Sequence, residues 1–255
     1  MNVTIIIPTK AERMNFLQAQ LLEFSKSKLK PKVLFVCSLD AQIKIQKILP
    51  KNLDIGFILD PGRGVVYAIN AALERVDTTY WNWCGDDDLL DLKGVAAIES
   101  ALNNDMKYVF GFGKCEYIDK NSLVIHVNKY GRFAEKLIQI GPNLIAQPAA
   151  LFRTEATRLI GGLNPNYQCA FDQDFIQRLN LYGKFKYVDK TVAKYRWHGN
   201  SLTSINRFLS LRESYEIRKK FAASFHIKVL VRLAKYPTYC IVSIASWLFS
   251  RSVRE

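Results

Sequence analysis

Three consecutive aspartates, Asp86, Asp87 and Asp88, follow the run Tyr80-Trp81-Asn82-Trp83-Cys84-Gly85 and precede Leu89-Leu90. No other stretch restricts the fold as much. Adjacent carboxylates repel one another and lose solvation on partial burial, so packing alone disfavours them. One reading is a solvated acidic turn, with an aspartate capping the next helix. The other is a cluster held at the end of a buried strand, where carboxylate oxygens suit hard ions such as Mg²⁺ and Mn²⁺. The aromatic and leucine flanks favour a strand end over an exposed loop.

The chain leading to this point alternates between two periodicities. Val3 to Ile7 is a β-branched run closed by Pro8, Val33 to Cys37 is a second, Ile55 to Leu59 a third and Tyr80 to Cys84 a fourth. Helical spacing of apolar residues lies between them, at about Asn15 to Ser25, Ala41 to Leu49 and Val65 to Leu73. This order predicts an α/β fold with an open, mostly parallel sheet flanked by helices. Ligands of such sheets bind beyond the carboxyl ends of the strands. Polar residues stand at each exit: Thr9, Glu12 and Arg13, then Ser38 and Asp40, then Asp60 and Arg63, then the aspartates. Neither a dinucleotide Gly-x-Gly-x-x-Gly fingerprint nor a Gly-x-x-x-x-Gly-Lys phosphate loop is present, which argues against a dehydrogenase or P-loop protein.

Beyond the aspartates, Asp91 to Leu102 reads as a helix buried through Val95, Ile98 and Leu102. Tyr108 to Cys115 and Leu123 to Val127 read as strands around the turn Asp119-Lys120-Asn121. Gln147 to Arg153 reads as a further strand, followed by a short helix that Gly161-Gly162 ends. Phe175, Ile176 and Leu179 have helical spacing and place Asp172 at a helix start. There it is either an N-cap, with Asp174 favouring the helix dipole, or a general base. Tyr195-Arg196-Trp197-His198 ends a strand in one of three histidines, either an ordinary surface group or a metal or phosphate contact.

The balance of 36 Lys+Arg against 23 Asp+Glu gives a formal charge of +13 and predicts an anionic partner. Five scattered cysteines without a Cys-x-x-Cys pair predict free thiols in a reducing cytosol. Met1 leads straight into a strand, so no signal peptide is expected. Much of the positive charge gathers at the C-terminus, where Arg207, Arg212, Arg218, Lys219, Lys220, Lys228, Arg232 and Lys235 face Glu213 and Glu216. The following apolar run, Tyr236 to Phe249, falls short of the ~20 residues a spanning helix needs. The tail suits either a helix lying in a membrane interface or a helical pair packed on the domain through Ile227, Leu230, Val231 and Leu233.

Taken in order, the Ile-Pro-Thr of strand one, Gly64-x-x-x-Ala68-x-Asn70, Gly85-Asp86-Asp87-Asp88-Leu89-Leu90, Gln147-Pro148, Gly161-Gly162-Leu163-Asn164, Phe171-Asp172-Gln173-Asp174 and Tyr195-Arg196-x-His198 resemble family 2 glycosyltransferases of the GT-A fold. The resemblance covers residues 1–204 and leaves 205–255 as a basic, amphipathic helical tail. It implies inverting transfer from a nucleotide-diphosphate sugar, a UDP-sugar being the family's commonest donor, to a glycan or lipid-linked saccharide. Asp172 is then the catalytic base. Asp88 and His198 hold a divalent metal, Mn²⁺ or Mg²⁺, and Pro8, Thr9, Glu12, Asp40, Asp60, Arg63, Asn70, Asp86 and Asp87 hold the nucleotide. The resemblance also suggests polysaccharide or O-antigen assembly and a place in the cytoplasm, peripheral at the inner face of the membrane. Two positions depart from the family pattern. The second strand ends in Cys37-Ser38-Leu39-Asp40 in place of an Asp-Asp-Gly-Ser segment, and Phe171 stands where Glu commonly precedes the base. A nucleic-acid binder would need basic and aromatic residues interleaved on one face, whereas here the expected cleft is acidic. A sugar-nucleotide pyrophosphorylase would need a Gly-rich, Arg-containing loop after the first strand, and none is present. A protein that binds sugar nucleotide or an anionic surface without turnover is the remaining alternative.

Overall fold

The computed structural model describes residues 1–197, 206–222, 224–240 and 243–244. Its first half alternates as the periodicity predicts: β1 (Val3–Pro8), α1 (Met14–Lys26), β2 (Lys32–Cys37), α2 (Leu39–Gln46), β3 (Ile55–Leu59), α3 (Val65–Leu73) and β4 (Tyr80–Trp83). After the aspartates come β5 (Leu89–Leu90), α4 (Leu92–Asn103), β6 (Tyr108–Ile118), β7 (Val124–Asn128), α5 (Arg132–Leu137), β8 (Ala150–Arg153), α6 (Thr154–Leu159), α7 (Phe171–Leu179) and β9 (Lys184–Arg196). Among the described C-terminal residues, α8 (Arg207–Phe221) and α9 (Phe225–Leu233) follow.

The strands form a nine-stranded sheet in the order β3-β2-β1-β4-β8-β6-β9-β5, with β7 pairing the C-terminal half of β6 off this path. Strands β1, β2, β3, β4, β6 and β9 run in one direction, and β5, β7 and β8 run against them. Alternation along each strand splits the core between the two faces of the sheet. Ile5, Ile7 and Tyr80 join Leu17, Leu21 and Phe24 of α1 and Val95, Ile98 and Leu102 of α4 on one side. Ile6, Trp81 and Trp83 join Val66 and Ile69 of α3 and Phe175, Ile176 and Leu179 of α7 on the other. Trp81 is fully buried, and its indole Nε1 donates to Thr157 Oγ1 at 2.8 Å, so the ring carries no orphan donor.

One expected strand is corrected. Gln147–Ala149 is a 3₁₀ turn, and the strand begins only at Ala150. Pro148 brings no N–H to a ladder, and its carbonyl accepts instead from Asn82 Nδ2 at 2.9 Å. The helix cap after the acidic run is also reassigned. Asp91 is the residue whose Oδ1 accepts from Lys93 N at 2.8 Å and Gly94 N at 3.1 Å, which leaves Asp86, Asp87 and Asp88 free of that role. Gly94 lets α4 lie flat on β9, since a Cβ there would stand 2.0 Å from the Thr191 carbonyl oxygen.

The tail is divided in its exposure. In α9, Val231 is fully buried, while Leu230 and Leu233 face outward at 46% and 68% exposure. Among the described residues no helix is long and apolar enough to cross a membrane. All five cysteines are unpaired, four of them buried.

Candidate functional site

The sheet delivers its acids at the carboxyl end of β4. Asp86, Asp87 and Asp88 are 4%, 5% and 3% exposed, so the solvated-turn reading does not hold. Gly85 makes the turn possible, because a Cβ there would lie 2.7 Å from Asp87 Oδ1. Each acid has its own support. Thr9 Oγ1, at the end of β1, donates to Asp86 Oδ2 at 2.5 Å and accepts from Ala11 N at 2.9 Å. Arg13 reaches over the pair, with Nη1 2.5 Å from Asp87 Oδ2 and Nη2 2.6 Å from Asp86 Oδ1. The second contact is an ion pair without the alignment of a hydrogen bond, since Asp86 Oδ1 is buried with no hydrogen-bond partner. Asp88 turns the other way. Its Oδ2 accepts from Gly85 N and its Oδ1 from Arg196 N, both at 3.0 Å.

Arg196, the last residue of β9, fixes the back of this turn. Its guanidinium donates to the carbonyl of Asp87 at 3.1 Å, to the carbonyl of Asp119 at 2.6 Å and to Ser122 Oγ at 3.0 Å, and lies 4.0 Å over the Phe16 ring. Burial, then the neighbouring Asp87 charge, pushes the Asp88 carboxyl up to about 7. Burial also raises Asp86, against the opposing pull of Thr9 and Arg13. Among the described residues no three His, Cys, Asp or Glu side chains are arranged to hold a metal ion. The cluster still fits one chemically. It is an all-oxygen donor set, it holds an acid raised first by burial and then by its neighbour's charge, and one of its buried oxygens lacks a hydrogen bond.

Of the other nucleotide-contact candidates, Pro8, Glu12, Asp40, Asp60 and Arg63 lie at or after strand ends, while Asn70 lies within α3. Pro8 closes β1, and Glu12 is exposed on the loop that carries Arg13. Asp60 N donates to the Cys37 carbonyl at 3.0 Å, which sets the exits of β2 and β3 side by side, and Asp60 Oδ1 accepts from Gly62 N at 2.9 Å. The Arg63 guanidinium lies 4.0 Å over the Tyr67 ring. Asp40 is exposed in the first turn of α2, whose cap is Ser38. Asn70 has both ends of its amide engaged, with Nδ2 donating to the Leu163 carbonyl at 2.8 Å and Oδ1 accepting from Leu163 N at 2.9 Å. It thereby braces the turn in which Gly161 and Gly162 both adopt φ 73. His198 lies outside the described residues.

Asp172 stands in the first turn of α7, but the N-cap is Ala170, which brings no side-chain hydrogen bond. Asp172 Oδ1 accepts from Gln173 N at 2.8 Å, and Oδ2 accepts from Asn143 Nδ2 at 3.1 Å. Burial outweighs these contacts and pushes the carboxyl up to about 6. Asp174 differs in kind, being fully buried and paired with Arg178 Nε at 2.6 Å. The Phe171 ring lies 6.2 Å from that of Trp83, two residues before Gly85. Gln147 Nε2 closes the link by donating to the Trp83 carbonyl at 2.6 Å and to Asn82 Oδ1 at 2.9 Å. Phe171, the residue before Asp172, therefore packs on Trp83, the last residue of β4 before the aspartate turn. Asn143 carries no sequence signal of its role, whereas the Gln147-Pro148 pair is visible.

No protein-family profile matches the chain. By sequence it is 24% identical over 164 residues to a hyaluronan synthase of Pasteurella multocida, a match that spans 64% of this chain and 17% of that protein. By structure it is similar to S. aureus TarS 1-349 in complex with UDP-GlcNAc, with a TM-score of 0.67 and 15% identity over 91% of this chain and 70% of that one. It is also similar to the mannosyltransferase PcManGT from Pyrobaculum calidifontis in complex with GDP-Man and Mn²⁺, with a TM-score of 0.65 and 16% identity over 97% of this chain and 75% of that one. The fold is that of the GT-A glycosyltransferases.

Proposed function

We propose that this chain, which has the GT-A glycosyltransferase fold, is an inverting enzyme moving a sugar from a nucleotide diphosphate, a UDP-sugar, to a hydroxyl of a glycan or lipid-linked acceptor. Two different acidic features support the reading, one following β4 directly and one tied to its last residue, Trp83, through Phe171. One is a buried aspartate cluster. The other is a separate carboxylate raised to about 6, the range in which a side chain both holds and releases protons near neutral pH.

In this reading Asp172 accepts the proton of the incoming hydroxyl. Asn143 holds its Oδ2, and the Gln173 backbone holds its Oδ1, so the carboxylate is oriented before the acceptor arrives. Thr9, Asp60 and Arg63 line the strand exits where the nucleotide would lie. Asp88, with Asp86 and Asp87, would hold a divalent cation, which when bound offsets charge on the departing diphosphate by several kcal/mol. Arg13 would have to share or yield its two carboxylates as the donor enters.

Thermal unfolding with UDP-N-acetylglucosamine or GDP-mannose, with and without Mn²⁺, tests the donor assignment. A ligand at a hundred times its Kd adds about 2.7 kcal/mol, a rise of roughly 5–10 °C for a chain of this size. Asp88→Asn is expected to lose the Mn²⁺-dependent part of that rise. The absence of any shift with sugar nucleotides of either base, with or without metal, would rule out the donor site.

The exposed Leu230, Leu233 and Tyr236 beside the basic Lys228 and Arg232 support contact of the tail with an anionic membrane surface. The protein should then co-sediment with vesicles containing phosphatidylserine, and Leu230→Ser with Leu233→Ser should weaken this about tenfold or more. Equal binding by wild type and the double variant would remove the tail from that role.

A further inference from the structure

We propose that Glu213, on helix α8, is the positioning residue that sets the loop bearing Asp172, so that the catalytic unit extends into the C-terminal helices. The inference rests on the reading of Asp172 as the base. Glu213 is 7% exposed, and its carboxylate accepts three successive backbone N–H groups: Gln168 N at 2.9 Å on Oε1, with Cys169 N at 2.8 Å and Ala170 N at 2.9 Å on Oε2. These N–H groups lead directly into α7, whose N-cap Ala170 contributes no side-chain bond. Charge-assisted bonds to one carboxylate are about twice as strong as neutral ones and fix direction as well as distance. Glu213 thus pins the backbone that enters α7, from 43 residues away along the chain.

The same helix braces a second segment. Arg218 is fully buried, and its Nη1 donates to the Ile140 carbonyl at 2.6 Å. Three residues further on, Asn143 holds Asp172 Oδ2. One helix therefore steadies both the 168–170 segment that leads to Asp172, through Glu213, and the 140–143 segment that holds its carboxylate, through Arg218.

Glu213→Gln keeps the shape but turns an N–H₂ toward backbone donors. A misplacement of about 1 Å at a reacting group costs up to ~100-fold in rate. We expect kcat for release of nucleoside diphosphate from UDP-N-acetylglucosamine or GDP-mannose to fall about 10- to 100-fold, with KM for the donor within about twofold. Glu216→Gln, an exposed change on the same helix, should leave both unchanged. Amide hydrogen exchange across Gln168–Ala170 should accelerate in Glu213→Gln and not in Glu216→Gln. Should Glu213→Gln yield no folded protein, Glu213→Asp carries the same readouts with the charge kept and the reach shortened, and the expected loss is smaller. An unaltered kcat, or unaltered exchange at 168–170, overturns the role of Glu213. Absence of turnover by the wild-type protein would overturn the transferase reading instead, and the exchange measurement still decides the positioning role on its own.

Discussion

Asp172→Asn is expected to remove about 10²- to 10⁴-fold of the transfer rate, the range a positioned general base contributes, while making the protein harder to unfold. The two effects have one cause. Burial holds the Asp172 carboxyl at about 6 against an ordinary value of 3.8. Since the folded-state value is the higher one, the group adds stability at pH below about 4, where it is protonated in both states. That contribution is lost as pH rises through about 6. Near pH 7.5 the ionised acid is a burden whose ceiling is on the order of 3 kcal/mol. An asparagine escapes the burden, though an unfavourable contact with the Asn143 amide takes back about 1 kcal/mol. The net gain is roughly 1–2 kcal/mol, or about 2–8 °C in Tm. Donor-dependent stabilisation should persist in the variant. In the wild-type protein, the proposed transfer should fall about tenfold per pH unit below about 6. Near-normal turnover in the variant, or lost turnover together with a lowered Tm, would reduce Asp172 to a structural acid.

Gly94→Ala should do the opposite, weakening the whole domain through one methyl group. Alanine in a helix gains about 1 kcal/mol over glycine from propensity. Here the new Cβ would stand 2.0 Å from the Thr191 carbonyl oxygen and 2.8 Å from Val192 Cα, both of them backbone atoms of β9 that cannot rotate away. Overpacking costs about 1–3 kcal/mol even where side chains can yield, so against a strand backbone the steric cost wins. A fall in Tm of about 5–10 °C is the expected result of scanning calorimetry. Donor binding should weaken too, because β9 ends in Arg196, whose N–H holds Asp88. A variant with an unchanged or higher Tm would show that α4 can lift from β9 without loss.

The parts of the fold that could be read in the sequence are those where one residue type decides the outcome. The β-branched runs of β1, β2 and β3 and the aromatic run of β4 have few alternatives to a buried strand. The 3₁₀ turn at Gln147–Ala149 was less legible because apolar residues alone do not distinguish it from a strand. The side-chain amide of Asn82 and the missing N–H of Pro148 decide it. β5 spans only two residues and exists because Leu89 and Leu90 pair with Lys194 and Ala193. Of the proposed site, Asp88 and Asp172 stand out in the sequence because acids among aromatics are out of place unless something uses them. Asn143 and Glu213 were not visible as their supports, since each acts across 29 to 45 residues of sequence through geometry that exists only in the folded chain.

The insertion of β8 between β4 and β6 has a consequence for biosynthesis. A ribosome that has released the first hundred residues has delivered β1 to β4, yet one edge of β4 awaits residues 152–153. The acid turn awaits the backbone of residue 196. Until then the nascent chain presents an open strand edge beside unpinned carboxylates, a state prone to wrong pairing. Sugar-nucleotide affinity should therefore emerge abruptly during translation, only once the last long strand has left the exit tunnel.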